Sequence, residues 1–489
     1  MKNIIMVSLC ILLLCGCMTE NMPVGTTNAQ ESAVVTESTK ESCEAISPTI
    51  NETVPIETTF PRLETEPMFT VEPTVIPTEP SETEPEYTEP PTTEPEKTLS
   101  ELISEGVYTL KSSYDFYNGS MAMSEIQTIT FSKIAPSAYD EFWIANVANT
   151  DGIVGYRIGT DVIIVGDYIY ANSNCRYMFA AKNNYGDALW SSLVSINGLD
   201  MIDMSAAANM SYMFYGGKFD SLQGIGSWNT GSAYEMKMLF AHCTNITSLN
   251  IGSWNVSNVH DFTGMFQGHD NAGDMKLQYL DIGRWDTSSA FNMSYMFYGC
   301  GAMTHISVEN WNVSNVGSFS HMFADCFSLQ SIDFSRWETL SACSFNAFLN
   351  DCRSLTIVDV SGLDTAGCIQ FSQMFEACVN LHSIVGLETL DVSSASDYAF
   401  SETFHCCYAL QEINIGSWIS SPDNTARMFK NCYALTKINM SGFDMTNNVA
   451  VTEMFMGCGN LTEVIGMDTW NLESATGYDS MCSGTIFDK

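Results

Sequence analysis

From about residue 200 onward the apolar residues return in a fixed order: Met-Phe, a cysteine three residues later, apolar-x-x-apolar-x-apolar, and then a tryptophan. Taking the phenylalanine of "M-F-x-x-C" as origin places units at Phe214, Phe240, Phe266, Phe297, Phe323, Leu349, Phe375, Phe404, Phe429 and Phe455, 25 to 31 residues apart and most often 26. A period of this size predicts a solenoid, in which each unit buries its apolar face only against its neighbours.

One unit, "MLFAHCTNITSLNIGSWNVSNV", shows the expected elements. The alternation ending in Leu249 and Ile251 predicts a short strand with those two residues inward. Trp254 follows, fourteen residues after Phe240, and then the polar turn "NVSNV". The segment before the next Met-Phe is expected to make a short helical or 3₁₀ turn. Stacked in parallel, one strand per unit would make a sheet along one side. The fold class expected is therefore α/β, a solenoid with one short strand and one short helical turn per unit.

Two columns of this repeat invite chemistry. Seven of the nine tryptophans (Trp228, Trp254, Trp285, Trp311, Trp337, Trp418, Trp470) share one site. A carbohydrate-stacking platform would use such rings, but Leu363, Leu390 and Phe443 stand there in other units, and leucine fills a core rather than replacing an exposed ring. Burial is expected. Cys243, Cys300, Cys326, Cys352, Cys378, Cys407, Cys432 and Cys458 close the Met-Phe turn. Side chains pointing the same way on parallel rungs rarely meet the torsion of a disulfide, so free, buried thiols are expected. Histidines cluster at His242-Cys243, His269 and His405-Cys406-Cys407, without the C-x-x-C spacing of a structural zinc site. No metal and no cofactor are expected.

Before the array the pattern changes twice. Leu99 to Val107 suggests a short helix, Ile126 to Phe131 and Val162 to Ile169 suggest strands, and Arg176-Tyr177-Met178-Phe179 foreshadows the repeat. Residues 98–200 are expected to cap the array and to hold a first atypical repeat. Twelve of the fourteen prolines fall between Glu20 and Lys97, among glutamates and threonines as in "PTEPSETEPEYTEPPTTEPE". Missing backbone donors and repeated like charge leave no core, so 17–97 is expected to be a disordered, extended stalk. Lys2 and the apolar run Ile4–Leu14 have the form of a signal peptide, 1–16, too short for an ordinary membrane span. Leu14-Cys15-Gly16-Cys17 resembles a bacterial lipobox, which implies lipidation of Cys17. The solenoid proper would occupy 201–489.

Charge narrows the partners. Fifty-seven acidic residues against nineteen basic ones leave a net charge of −38, which repels phosphate backbones and anionic lipid headgroups. Nucleic acid is not an expected partner, and contact with a membrane is expected through the N-terminal lipid alone.

Units such as "FNMSYMFYGCGAMTHISVENWNVSNV" resemble those of the BspA-like leucine-rich-repeat surface proteins, in particular the variant with "W-[ND]-[TV]-S…M-x-x-M-F-x-x-C" and a period near 26. The resemblance covers roughly residues 125 to 489. It implies an extracellular leucine-rich-repeat solenoid that attaches to host or microbial surfaces, displayed on the outer side of a bacterial membrane, and it implies no catalysis. The chain also lacks G-x-S-x-G, H-E-x-x-H and a phosphate-binding glycine loop. A polysaccharide-acting enzyme would need one distinctive carboxylate pair, and here the acids recur with the repeat. A structural coat protein without a ligand is the other alternative to an adhesin.

An extracellular protein or glycan would meet the outward residue of each strand. That column reads Asn250, Asp281, Ser307, Asp333, Asp359, Val385, Asn414, Asn439 and Ile465. Its polar members Asn250, Asp281, Ser307, Asp333, Asp359, Asn414 and Asn439 are the candidate ligand contacts, although any solvated strand also needs polar residues facing out. Insertions around His269 to Lys276 and Glu388 to Ser394 are further candidates.

Overall fold

A short amphipathic segment opens the described part of the chain. Thr98 Oγ1 accepts from Glu101 N at 3.3 Å while the Glu101 carboxylate accepts from Thr98 N at 2.7 Å, a reciprocal cap that starts α1 (Leu99–Ser104). The computed structural model describes residues 97–269, 274–396, 398–446, 450–473 and 475–487, all in one compact unit. The expected signal peptide, Cys17 and the stalk up to residue 96 lie outside the described residues.

The cap is a mixed five-stranded sheet in the order β2-β3-β4-β1-β6. Its strands are β1 (Thr128–Ser132), β2 (Glu141–Ile144), β3 (Val154–Ile158), β4 (Asp161–Val165) and β6 (Ser195–Asn197). The β2-β3 and β3-β4 pairs are antiparallel, whereas β1 runs parallel to both β4 and β6. The run expected as one strand over Val162–Ile169 is β4 and a separate β5 (Ile169–Tyr170), which pairs with β7 (Ile202–Asp203). Behind the sheet Phe116 stacks on Trp190 at 5.9 Å and meets Phe179 edge-on at 6.0 Å. Phe179 in turn stacks on Phe214 at 5.6 Å, so the cap's core runs into that of the repeats.

In the array, the segment around each Met-Phe differs from the expected helix. Two residues per unit, at positions −2 and +2 from the origin, are left-handed: Tyr212 and Gly216, His321 and Asp325, Arg427 and Asn431, with φ between 56° and 69°. The left-handed residues alternate with right-handed turns and re-aim every second N–H along the stacking axis. Met210, Tyr212, Phe214 and Gly216 donate to Glu235, Lys237, Leu239 and Ala241 of the next unit at 2.8–3.0 Å. The intervening N–H groups of Met213, Tyr215 and Gly217 close on Met210, Tyr212 and Phe214 within the unit. A regular helix would have directed its N–H groups along its own axis, its first four left unpaired, and would not have tied the rungs together. Among the described residues the α-helices are α1 and α2 (Tyr478–Met481), so the protein is mostly β with few helices.

The opposite side carries the expected strands, but not as one sheet. β8 (Ser248–Leu249) pairs with β9 (Tyr279–Leu280), and β10 (Ile357–Asp359) with β11 (Ser383–Val385). β12 (Glu412–Asn414), β13 (Lys437–Asn439) and β14 (Glu463–Ile465) form a third group. All these pairs are parallel and in register. The breaks reflect how short the strands are. Axial continuity rests on the Met-Phe side, where bridges run Asn209-Glu235-Asp261-Asn292-Ser318-Ser344-Gln370 from unit to unit.

Between the two sides lie the inward columns. Phe214, Phe240, Phe266, Phe297 and Phe323 stack at 5.3–5.7 Å with planes within 8° of parallel. Leu349 interrupts the column, and Phe348 turns its edge to Phe323 there. Phe375, Phe404, Phe429 and Phe455 resume it at 5.4–5.7 Å.

Candidate functional site

Which side chains are free to meet a ligand depends on what folding already uses. Six members of the tryptophan column, from Trp228 to Trp418, are at most 4% exposed. Each indole N–H donates to a backbone carbonyl one unit earlier, as in Trp254 to Ile225 at 2.8 Å and Trp337 to Val308 at 2.9 Å. Trp470, in the last unit, is partly exposed. The column is core, and Leu363, Leu390 and Phe443 are as buried as the tryptophans.

The cysteine column works in the same way. All eight thiols are free, buried, and placed to donate to the carbonyl of the preceding unit's origin residue at 3.0–3.4 Å. A cysteine suits this place because it is small and apolar yet carries a weak donor for the second lone pair of a carbonyl that already accepts a backbone N–H, as Phe297 O does from Cys300 N at 3.0 Å. Burial pushes these thiols up from their ordinary range at Cys243, Cys326, Cys352 and Cys378, which makes them poor nucleophiles. Two residues past the tryptophan, or past Leu363 where it replaces one, Thr230, Thr287, Thr339 and Thr365 are buried and donate to carbonyls of the following unit at 2.7–2.9 Å.

The strand side is different. Asn250, Asp281, Ser307, Asp333 and Asn414 are exposed, and Asp359 and Asn439 are half-buried, each between two inward neighbours. Several also close their own backbone turn. Asp333 Oδ1 accepts from Ser335 N at 2.8 Å, Asp359 Oδ1 from Ser361 N at 2.9 Å, and Asn439 Oδ1 from Ser441 N at 3.1 Å. Asn414 Oδ1 accepts from Gly416 N at 3.3 Å and from Asn439 Nδ2 at 2.9 Å, which joins two rungs. These four are held in fixed poses, with part of their hydrogen-bonding capacity used by the turn.

The sequence reading took one outward column and missed a second. The strand residue two places earlier also faces out, at Ser248, Tyr279, Ile357, Ser383, Glu412, Lys437 and Glu463. Tyr279 is 64% exposed and Ile357 53% exposed, large apolar groups which, with Val385 at 46%, stand among polar and charged ones. Strict alternation on both sides of the inward residue was the signal that could have found them. Lys437 and Glu463 pair at 2.9 Å, both largely solvated.

Where β11 and β12 fail to pair, a recess of about 480 Å³ opens on this face, lined among others by Ser383, Glu388, Glu412, Asn414, Lys437 and Asn439. At its rim Gly386, with a φ of +77°, leads the chain after β11 into a 3₁₀ turn, Leu387–Thr389. The insertion expected around Glu388 to Ser394 thus begins as an ordered turn at the rim. Part of the other insertion, 270–273, lies outside the described residues; beside it His269 Nδ1 meets Asp274 Oδ2 at 2.6 Å.

Comparison with solved structures gives, among other chains, three with low overall superposition. A TLR13–ssRNA13 complex is matched at 14% identity over 60% of this chain, with a TM-score of 0.26; this chain spans 42% of that one. A Leptospira interrogans LRR protein is matched at 10% identity over 60% of this chain and 77% of that one, TM-score 0.22. A leucine-rich repeat protein from Eubacterium ventriosum is matched at 12% identity over 65% and 83%, TM-score 0.20. No curated protein matches. The family model described as "Mycoplasma protein of unknown function, DUF285" matches three times in tandem, at residues 173–275, 269–387 and 369–488. Those matches begin with the Tyr177-Met178-Phe179 turn and run through the last Met-Phe unit, so the chain is a repeat protein of the DUF285 family.

Proposed function

We propose that this protein is a cell-surface lipoprotein whose array, a solenoid of the leucine-rich-repeat type, holds an extracellular protein or glycan in an adhesin-like role. One observation carries the reading. The tryptophan, cysteine and threonine columns are buried and consumed by backbone carbonyls, whereas the strand side leaves two ordered outward columns in solvent. Tyr279 and Ile357 supply apolar contact, and the fixed aspartates and asparagines supply hydrogen bonds, a combination suited to a macromolecular surface. The recess at the β11–β12 break gives that face a place for a projecting side chain or sugar ring. The lipobox at Cys17 and the acidic stalk fit a role in which the array is held away from a membrane, and Cys17→Ala should then release the protein or leave its precursor unprocessed. No catalytic step is assigned.

The test is binding of the mature protein to a panel of matrix proteins, mucins and glycans. A variant combining Tyr279→Ala, Asp281→Lys and Ile357→Ala changes the outward face without touching the turn-closing aspartates. A second variant carries Glu79→Lys, Glu82→Lys and Glu86→Lys in the stalk. Loss of binding in the first alone supports the reading. Equal binding by both removes the strand face from the site, and failure of the native protein to bind any member favours a coat protein without a ligand.

A further inference from the structure

Of the described cysteines outside the ladder, Cys406 is the one whose sulfur meets a histidine. Cys406 occupies the left-handed +2 position, φ +61°, beside the ladder thiol Cys407. Its Sγ lies 3.2 Å from His405 Nε2, and His405 Nδ1 lies 2.9 Å from Glu376 Oε1, one unit earlier in the same column. Glu376 Oε2 accepts in turn from Asn350 Nδ2 at 2.9 Å, which fixes the carboxylate. Asn431 Nδ2 approaches Cys406 Sγ from the following unit at 3.6 Å. This is a thiol, an imidazole and a carboxylate in series, each held by the next, the arrangement that makes a cysteine nucleophilic.

The surroundings support the pairing. Burial pushes the Cys406 thiol up, but the hydrogen bond and charge of His405, with donors from Asn431 and Tyr408, outweigh it and leave the thiol below its ordinary value. Burial alone would push the His405 imidazole down, but Cys406 and Glu376 raise it to about 9. The other charged groups nearby are engaged elsewhere: Glu402 by Arg427 at 3.1 Å, and Lys430 by Glu453 at 2.9 Å. Cys406 itself is 1% exposed, but the side chains of His405 and Glu376 reach solvent at 19% and 18%. Only a small reagent would reach the sulfur.

We propose that Cys406 is a nucleophilic thiolate and a covalent modification site for small electrophiles, hydrogen peroxide being the simplest. The sulfur attacks one peroxide oxygen, an S–O bond forms and the O–O bond breaks. The departing hydroxide takes the imidazolium proton from His405 and leaves as water. Sulfur is oxidised to sulfenic acid and peroxide is reduced, so the step closes without another reactant.

The experiment treats the folded mature protein with hydrogen peroxide at pH 6, removes the peroxide with catalase, unfolds the protein in excess dimedone to trap sulfenic acid, and maps adducts by mass. At that pH an ordinary thiol is almost wholly protonated. The expected result is an adduct at Cys406 forming at least about tenfold faster than at any ladder cysteine, lost in Cys406→Ser and slowed about tenfold in His405→Gln. The native protein's rate should also be nearly flat between pH 6 and pH 8, a readout that does not depend on a variant folding. Labelling of Cys406 no faster than Cys326, a rate that climbs about tenfold per pH unit, or a folded His405→Gln that reacts as fast as the native chain would each overturn the proposal.

Discussion

The thiol of Cys326 points its hydrogen at the carbonyl of Phe297, one unit back, at 3.3 Å. The column of cysteines is thereby explained without disulfides: the position needs a small buried group with one weak donor. Cys326→Ala is expected to leave a small cavity and remove the weaker of two donors to Phe297 O, and to cost roughly 1–2 kcal/mol without abolishing folding. Urea unfolding measures it. The native thiol should react with a maleimide only after denaturation, and prompt reaction in the folded state would contradict the burial described.

Trp311 combines two roles, stacking on Trp285 at 6.3 Å and donating to Ile282 O at 3.0 Å. Trp311→Phe keeps an aromatic ring but removes one of two donors to Ile282 O, which retains Trp285 N at 3.1 Å, an expected loss of about 1–2 kcal/mol including the smaller ring. A midpoint unchanged within experimental error would show that the indole N–H contributes nothing.

Gly386 and Gly159 separate strain from overlap. Both are left-handed, at +77° and +60°, but a β-carbon on Gly386 would lie 2.4 Å from Ser361 Cα, whereas nothing stands within 4 Å of one on Gly159. Gly159→Ala should cost roughly 1–2 kcal/mol from conformation alone. Gly386→Ala should cost clearly more and disturb the rim of the recess. Equal losses in thermal or urea unfolding would mean that the rungs near Ser361 yield easily.

His321 stacks on Tyr295 at 4.6 Å, and its burial lowers the imidazole to about 4. Its folded value lies below the unfolded value near 6.5, so between those limits the unfolded chain binds the extra proton. Its contribution to stability is complete above about pH 6.5 and is lost as pH falls towards 4. His321→Gln should flatten this part of the stability–pH curve. An unchanged slope in that window would count against a neutral, half-buried His321.

Much of the unit was legible because its periodicity is enforced by burial. Phe240, Leu249, Ile251 and Trp254 had to face inward, and they do. The Met-Phe turn was not legible, because its left-handed positions hold Tyr212, Met238 or Arg427 as readily as glycine. Nothing in those side chains announces the backbone, which is stabilised by bonds to the next unit. The breaks in the strand side were hidden for a related reason, since pairing of two- and three-residue strands depends on how rungs settle against one another. In the cap, β2 and β3 carry little alternation, and their close approach at Trp143 and Gly155 is a tertiary fact. Glu376 and His405 share a column once units are aligned on Phe375 and Phe404, so their meeting was readable. Viewing the histidines only as metal ligands concealed it.

The indole, thiol and hydroxyl columns all address main-chain carbonyls, and the rungs are tied by main-chain amides. A carbonyl is offered by every unit whatever its side chains are. A unit inserted, deleted or exchanged whole would therefore find its partners waiting, with no matching change needed in its new neighbours. The length of such a protein is open to change by recombination between its own tandem copies, and its reach can shift by whole units while the chemistry that closes each joint stays the same.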